Sequence, residues 1–498
     1  MAISFNSIPS NVRVPLFYAE VDNSMANSGS TTLRRLIVAQ VNDGQTPPEL
    51  GQLTLVSSQS LANAIGGQGS MLAAMYAAHR LSDPFGEVWC LPLAKGVGAA
   101  AVGTVTITGP ATASGLLSLY VGGTRVQAAV VAGDASNVVA AALAAAINAN
   151  PDLPVTAAAA LGVVTVTAKF SGALGNDIGL ILNFLGRESG ETIPAGLGVV
   201  VGAMASGAGA PDMAAATAAL GDEEFEFITL PWTDTASLDV WQVVMGDSSG
   251  RWSWVKQLYG HVYGAKRGTL GTLVAAGLLR NDQHMTIAGL EASAPSPVWV
   301  EAAAYAARAA VFISADPARP TQTGELTGLR PAPASARFML SERQSLLNNG
   351  IATRMYSGGA LRIERAITTY RRNAYDQPDD SYLDSETMHQ TAHILRFLRS
   401  RITSKYGRHK LADDGTRYGA GQAIVTPSVI RGELIAAYYE LEAAGIVENA
   451  EVFAKYLIVE RNASNPSRLD VLFPPDYVNQ LRVFALLNQF RLQYPAAA

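Results

Sequence analysis

Cysteine is all but missing from this chain of 498 residues, which carries a single one, Cys90. That excludes an internal disulfide, a CxxC redox pair and a zinc site built on cysteines. Within the apolar run Val88 to Leu93 the thiol reads as a buried strand residue and not as a nucleophile. Long apolar runs are missing too, since nothing approaches the roughly 18 to 20 continuous apolar residues of a membrane span. The opening stretch MAISFNSIPSNVRVP lacks the basic-then-apolar layout of a signal peptide. A soluble chain made in the cytoplasm, without direct membrane insertion, is therefore expected. Phosphate-binding signatures are absent as well: there is neither a P-loop nor a complete GxGxxG, and no cofactor is expected.

Charged residues make up only 15% of the chain and hydrophobic ones 49%, the reverse of a disordered composition. One hydrophobic core cannot serve this length, and about three domains are expected. The net charge of −5 hides a polarity, because residues 1 to 250 sum to −11 and residues 251 to 498 to +6. Such a split suits head-to-tail association of identical copies, and equally suits two unrelated solvated surfaces. The basic residues are dispersed and no nucleic-acid-binding motif accompanies them, so nucleic acid is not an expected partner.

Along the chain the pattern changes several times. Residues 1–32 read as an extended arm, in which Val12, Val14, Leu16 and Tyr18 alternate and Pro15 bars a central-strand role. From residue 33 an α/β pattern sets in: strand Leu36 to Val41, helix Met71 to Leu81, strand Val88 to Leu93. Residues 95–205 are Gly/Ala/Val/Thr-rich with short alternating runs, and predict an inserted β-rich domain, a sandwich or small barrel. Its one helical stretch, Ser136 to Asn148, has Val139, Leu143 and Ile147 at i+4 spacing. The α/β domain, 33–94, resumes at 206 and runs to 330, where a Pro-rich stretch from Arg319 to Pro333 marks a boundary. Residues 331–480 are α+β, with a helix from Asp384 to Lys405, capped by Asp384 or Ser385, and another from Ser428 to Ala444. Two strands, Tyr456 to Glu460 and Leu469 to Phe473, precede an extended arm over residues 481–498 carrying Phe490, Leu492 and Tyr494. The fold class is thus multidomain α+β, with an α/β core sheet, a β-rich insertion, a C-terminal α+β domain and an arm at each end.

Constellations that carry chemistry elsewhere are incomplete here. His389 and His393 have the spacing of a helical zinc pair, but Gln390 stands where the metalloprotease motif needs glutamate, and the pair reads as a solvated or partner-facing helix flank. Gly246-Asp247-Ser248-Ser249-Gly250 departs from the serine-protease segment at Ser249 and reads as a polar turn. Gly66-Gly67-Gln68-Gly69 reads as a plain loop before a helix. The carboxylate pairs Asp379-Asp380 and Asp413-Asp414 lie in polar, turn-like surroundings that would not shift a pKa for acid catalysis. No catalytic or metal-binding residue is expected; a cytoplasmic hydrolase using the histidine pair or Ser248 is the remote alternative. The one concentrated basic surface is Arg371-Arg372 with Arg396, Arg399, Arg401, Lys405, Arg408 and Lys410, either a solvated face or a contact with an acidic neighbour.

Both ends of the chain carry a resemblance. FNSIPSNVRVPLFYAEVDNS (Phe5 to Ser24) and SRLDVLFPPDYVNQLRVFALLNQFRL (Ser467 to Leu492) resemble Mu-like contractile tail sheath proteins. The insert segment AGDASNVVAAALAAAIN and the helix LDSETMHQTAHILRFLRSRI resemble that family too, so the likeness spans nearly the whole chain. It implies a structural protein and not an enzyme, a virion component that stacks as hexameric rings in a helical array around the tail tube. Contraction of that array drives the tube through the host envelope for genome ejection. Implied partners are other copies, the tail tube protein, and baseplate and tail terminator proteins. Residues 331–480 become the inner sheath domain, and the arms add strands to neighbours' sheets through Val12, Val14, Leu16 and Tyr18 at one end and Phe490, Leu492 and Tyr494 at the other. Arg396, Arg399, Arg401 and Lys405 become candidates for contact with the tube or a neighbour. A sheath from a phage-derived injection device, such as a bacteriocin or secretion apparatus, carries the same chemistry.

Overall fold

The computed structural model describes residues 33–419 and 421–493. Strands β1 (Arg35–Gln40), β2 (Thr54–Leu55) and β3 (Val88–Leu93) open it, with helices α1 (Gln59–Gly66) and α2 (Met71–Ser82) between the last two. Every residue of β1 is buried, as an apolar strand with helices on both faces must be. The glycine loop therefore joins two helices; Gly67 turns the chain at φ +85°, and the Ser70 hydroxyl caps α2 by accepting from the Ala73 amide.

Seven strands follow in the inserted region: β4 (Ala100–Thr108), β5 (Gly115–Val121), β6 (Thr124–Val130), β7 (Val155–Ala160), β8 (Val163–Ser171), β9 (Leu180–Leu182) and β10 (Gly198–Ala205), with α3 (Ser136–Asn148) after β6. They form two antiparallel sheets, β10-β4-β8-β7 and β6-β5-β9. Expected as a sandwich or barrel, the region instead packs a helix on both sheets, α3 burying Val139, Leu143 and Ile147. The two stems of the insertion run side by side, Ala99 and Ala208 exchanging both backbone hydrogen bonds at 3.2 and 3.1 Å. Gly96 and Gly98 permit that approach: a Cβ at either would lie 1.8 Å from a carbonyl oxygen of the opposite stem.

The chain returns through α4 (Met213–Ala218), β11 (Phe227–Thr229), α5 (Thr235–Met245), β12 (His261–Gly268), α6 (Leu270–Leu278), β13 (Met285–Glu291) and α7 (Val298–Ala315). The resulting sheet has the order β13-β12-β11-β1-β3-β2, parallel except for the edge strand β2. Helix α7 lies against α2 and across β11 and β12. It is long and apolar enough to cross a membrane by length and composition, and two thirds of it is buried inside the fold. Strand order reverses at β1, and the crevice at the carboxyl end of such a reversal is where open α/β sheets hold ligands. Here the chain occupies it: the Gln40 amide donates to the Ser171 carbonyl at 2.7 Å, and the Ser171 amide donates to the Asp43 carboxylate at 3.1 Å.

The remaining elements are α8 (Leu340–Asn348), the hairpin β14 (Thr353–Ser357) and β15 (Ala360–Arg365), α9 (Ser385–Tyr406), β16 (Lys410–Leu411), β17 (Ile424–Val425), α10 (Pro427–Ala443), α11 (Ala450–Tyr456), and the hairpin β18 (Ile458–Arg461) and β19 (Leu469–Leu472). Helix α9 begins where expected, but the Asp384 carboxylate caps nothing; it is held by the Arg365 guanidinium at 2.9 Å through two nitrogens.

Cys90 lies fully buried at the centre of β3, and burial pushes its thiol up to about 12. An alkylating reagent is expected to leave it unmodified in the native chain and to modify it fully after denaturation, read by intact mass. Native-state labelling at the rate of a free thiol would refute this placement.

Candidate assembly interface

The last elements build a second core of their own. Ile430, Leu434, Tyr438 and Leu441 of α10 meet Phe453 of α11, with Ile394 of α9 beside them, and the Tyr438 and Phe453 rings stack at 3.7 Å. Hairpin β18–β19 lays Val459 and Leu469 partly onto this core and leaves Ile458, Val471 and Leu472 exposed. Neither strand has a second partner among the described residues. The Asn462 amide donates to the Arg468 carbonyl, so the paired bonds inside the hairpin fall at Glu460–Asp470 and Ile458–Leu472. The backbone groups of Val459 and Arg461 point outward on one edge, and those of Leu469 and Val471 on the other. A two-stranded hairpin is marginal in water, and both of its edges are open templates.

Beyond β19 the chain is first pinned, then released. Val447 bridges Tyr477, the Asp476 amide donates to the Tyr438 hydroxyl at 3.0 Å, and the Gln322 amide holds the Leu481 carbonyl at 3.1 Å. Arg482 ends the anchored part, its guanidinium 3.1 Å from both Asp384 and Glu386 at the start of α9. From there through residue 493 no regular structure forms, and Val483, Phe484, Leu486, Leu487, Phe490 and Leu492 are 76% to 96% exposed. Of the arm residues singled out from sequence, Phe490 and Leu492 are thus solvent-facing. Tyr494 and all four N-terminal residues, Val12, Val14, Leu16 and Tyr18, lie outside the described residues.

The basic run on α9 divides. Arg396 is committed inside the subunit, its guanidinium pairing with Glu224 at 2.7 Å and with Glu226, and stacked over Tyr259. Arg401 and Lys405 both hold Glu433 of α10. Burial would raise the Glu433 carboxyl, but the hydrogen bonds from Lys405, Arg401 and Tyr406 hold it down at about 2. Arg399 reaches the Gln257 carbonyl at 3.2 Å. Lys405 and Arg399 keep the larger exposed surfaces, 54% and 41%.

His389 is not on a solvated flank. It is buried beneath β11 and β12, where Nδ1 meets the Glu226 carboxylate and Nε2 the Tyr263 hydroxyl at 2.8 Å. One tautomer satisfies both contacts, with Nδ1 donating to Glu226 and Nε2 accepting the hydroxyl proton. His393, one turn on, is exposed, and among the described residues no group of three metal-ligating side chains forms. Asp247, in the polar turn, holds His284 Nε2 at 2.8 Å. A triad would need the other ring nitrogen on a serine, yet His284 Nδ1 is buried without a partner. The arrangement is an orienting carboxylate and an imidazole with no nucleophile.

Comparison with known proteins identifies what this architecture resembles. Residues 206–369 match the sequence pattern of the phage tail sheath central domain, and residues 377–491 that of the phage tail sheath C-terminal domain. Over 495 residues, 99% of this chain and the whole of its counterpart, the sequence is 42% identical to the Mu-like prophage FluMu tail sheath protein of Haemophilus influenzae. Among solved structures, the sheath tail protein of Desulfitobacterium hafniense aligns with a TM-score of 0.49 at 12% identity, covering 94% of this chain and 97% of that one. The anti-feeding prophage helical sheath in its contracted state aligns at 0.47 and 12% identity, covering 97% of this chain and all of that one.

Proposed function

The chain belongs to the phage tail sheath family, of the Mu-like kind, and from that premise we propose that copies stack as hexameric rings into a cylinder around the tail tube, each linked to its neighbours by its arms. What supports this most directly is the pairing of a donor with an acceptor on one subunit. The donor is an anchored chain released after Arg482 with six large apolar side chains in solvent, and the acceptor is a hairpin, β18–β19, with both edges open. In the assembly these complementary pieces meet between copies. Added strands of this kind gain main-chain hydrogen bonds for affinity and side-chain pockets for register.

Contraction then moves each subunit outward as a near-rigid body while the arms keep it linked, driving the tube into the host envelope. Such an array stores its energy in a metastable packing and needs no nucleotide. The tube, baseplate and tail terminator proteins are its partners in the virion, and assembly takes place in the host cytoplasm. Lys405 and Arg399 are the candidates on α9 for a contact with the tube or a neighbour, because Arg396 and Arg401 are more deeply enclosed.

The edge is testable by a proline. Val471→Pro removes an outward-pointing donor without touching the bonds inside the hairpin. Negative-stain microscopy over a concentration series is expected to show cylinders from the unaltered chain and a threshold raised about tenfold or more in the variant. Val471→Thr, which keeps the donor, is expected to assemble normally. Equal thresholds for the proline and threonine variants would remove β19 as an acceptor edge.

A further inference from the structure

At the carboxyl ends of β12 and β13 the inserted region meets the core over a buried charge cluster that assembly does not explain. Arg354 of β14 points one guanidinium nitrogen at both Glu301 oxygens, each at 3.0 Å, and another at Glu291 at 2.9 Å. Their side chains are 1%, 2% and 9% exposed. Beside them Asp177 of the insertion accepts from the Val298 amide at the start of α7 at 2.8 Å and faces the Arg267 guanidinium at 3.1 Å. Arg267 also donates to the Ser296 carbonyl. Lys266, the other cation here, turns toward the Thr233 carbonyl at 3.5 Å. The charged groups contributed by the packed elements are thus Asp177 from the insertion, Lys266 and Arg267 from β12, Glu291 from β13, Glu301 from α7 and Arg354 from β14.

Two carboxylates on one guanidinium leave a negative charge in surplus where water cannot screen it, and two carboxylates sharing a site do not both ionise readily. We propose that the Glu291–Arg354–Glu301 triad, together with the adjoining Asp177–Arg267 pair through which the insertion reaches it, is a proton-binding joint: it takes up one proton as the insertion docks, and it holds the insertion more tightly in mild acid than in alkali. The electrostatics agree in direction. Burial raises Glu301 to about 7 against the pull of Arg354, and raises Asp177 to about 6 against that of Arg267. A carboxyl raised on folding binds more protons folded than unfolded, so stability rises as pH falls through about 7 and about 6 and levels off near the unfolded values of 4.5 and 3.8. His79 and His261, whose rings burial holds below their usual value, act with the opposite sign below 6.5. The diagnostic quantity is therefore the difference between the unaltered chain and a variant lacking the surplus charge.

Hydrogen exchange of the full chain, corrected for intrinsic rates, reads the joint at peptides covering 176–182 and 298–302. Protection in the unaltered chain is expected to fall about tenfold between pH about 6 and about 8. In Glu301→Gln it is expected to change by less than about twofold over that range and to exceed the unaltered chain's at the upper end. Glu291→Gln removes the same surplus from the other side and serves if Glu301→Gln does not fold. A steep pH dependence surviving in both, or none in the unaltered chain, would overturn the joint.

Discussion

A chain ending at Arg482 is expected to fold as the full chain does and to form no cylinders at any concentration where the full chain polymerises. The structure separates the two outcomes at that residue. Everything through Arg482 is tied to the body by Gln322, Asp384 and Glu386, whereas the six large apolar side chains after it touch little of their own subunit. Burying a side chain of that size is worth about 1.5–3 kcal/mol, and each added strand hydrogen bond about 0.5–1.5 kcal/mol. Ordering the segment costs about 1–2 kcal/mol per residue, so the arm binds only where a neighbour supplies both an edge and pockets. Losing two anchors alone removes about 3–6 kcal/mol from each contact, roughly two to four decades in affinity. Thermal melting should shift little, because deleting exposed residues rarely changes stability by more than about 0.5 kcal/mol. Sedimentation and electron microscopy of the two chains side by side decide the matter. Cylinders of ordinary length from the shortened chain would mean that subunits adhere through their folded faces and that the exposed arm is incidental.

The largest effect on stability is expected at Arg396→Ala. Arg396 is the cation that lets Glu226 stay ionised beneath α9: burial alone would raise that carboxyl, but Arg396 and then His389 outweigh it and bring it to about 2. Removing the guanidinium strands a buried carboxylate, a loss of about 3–5 kcal/mol in a denaturant titration. The double replacement Glu226→Gln with Arg396→Met should recover most of it, since a buried ion pair exchanged for groups of similar volume is close to neutral. The sign with pH follows from the depressed carboxyl. Its stabilisation is complete above the unfolded value of 4.5 and disappears as pH falls toward about 2. Acid unfolding that begins below about pH 4.5 in the unaltered chain and loses this component in the double variant would match. A single variant as stable as the parent would show that the pair contributes nothing net.

Much of this was legible residue by residue. Strands β1 and β3 declare themselves as unbroken apolar runs, α2 and α9 by three-and-four spacing, and α10 by Gly445 just past its end. Helix α7 did not, although it is the largest single piece of the core. Its VWVEAAAYAARAAVFISA is buried on nearly all sides, and a helix without a solvent face has no amphipathic period to detect. The charges of α9 were visible but not their partners. His389 and Arg396 look solvated in sequence because Glu226, which buries both, lies 163 and 170 residues away. Buried ionic contacts of that separation leave no local signature. The C-terminal stretch was read as extended from the alternation of Phe490, Leu492 and Tyr494, and its described part after Arg482 is exposed and without regular structure.

The paired stems at Ala99 and Ala208 place the entry and exit of a segment of more than one hundred residues side by side, so that the parent sheet closes whatever is hung between them. That geometry makes the insertion a cassette: over evolutionary time, or at the bench, another module with neighbouring ends could replace it without rerouting β3 or α4. The exchange is conditional, because Ser171 closes the crevice at β1 and Asp177 occupies the start of α7. A graft that supplies a carboxylate at the second position and a backbone donor at the first inherits the docking. One lacking them leaves the Asp43 carboxylate and the Val298 amide without these partners, which sets the grammar for displaying foreign modules on this scaffold.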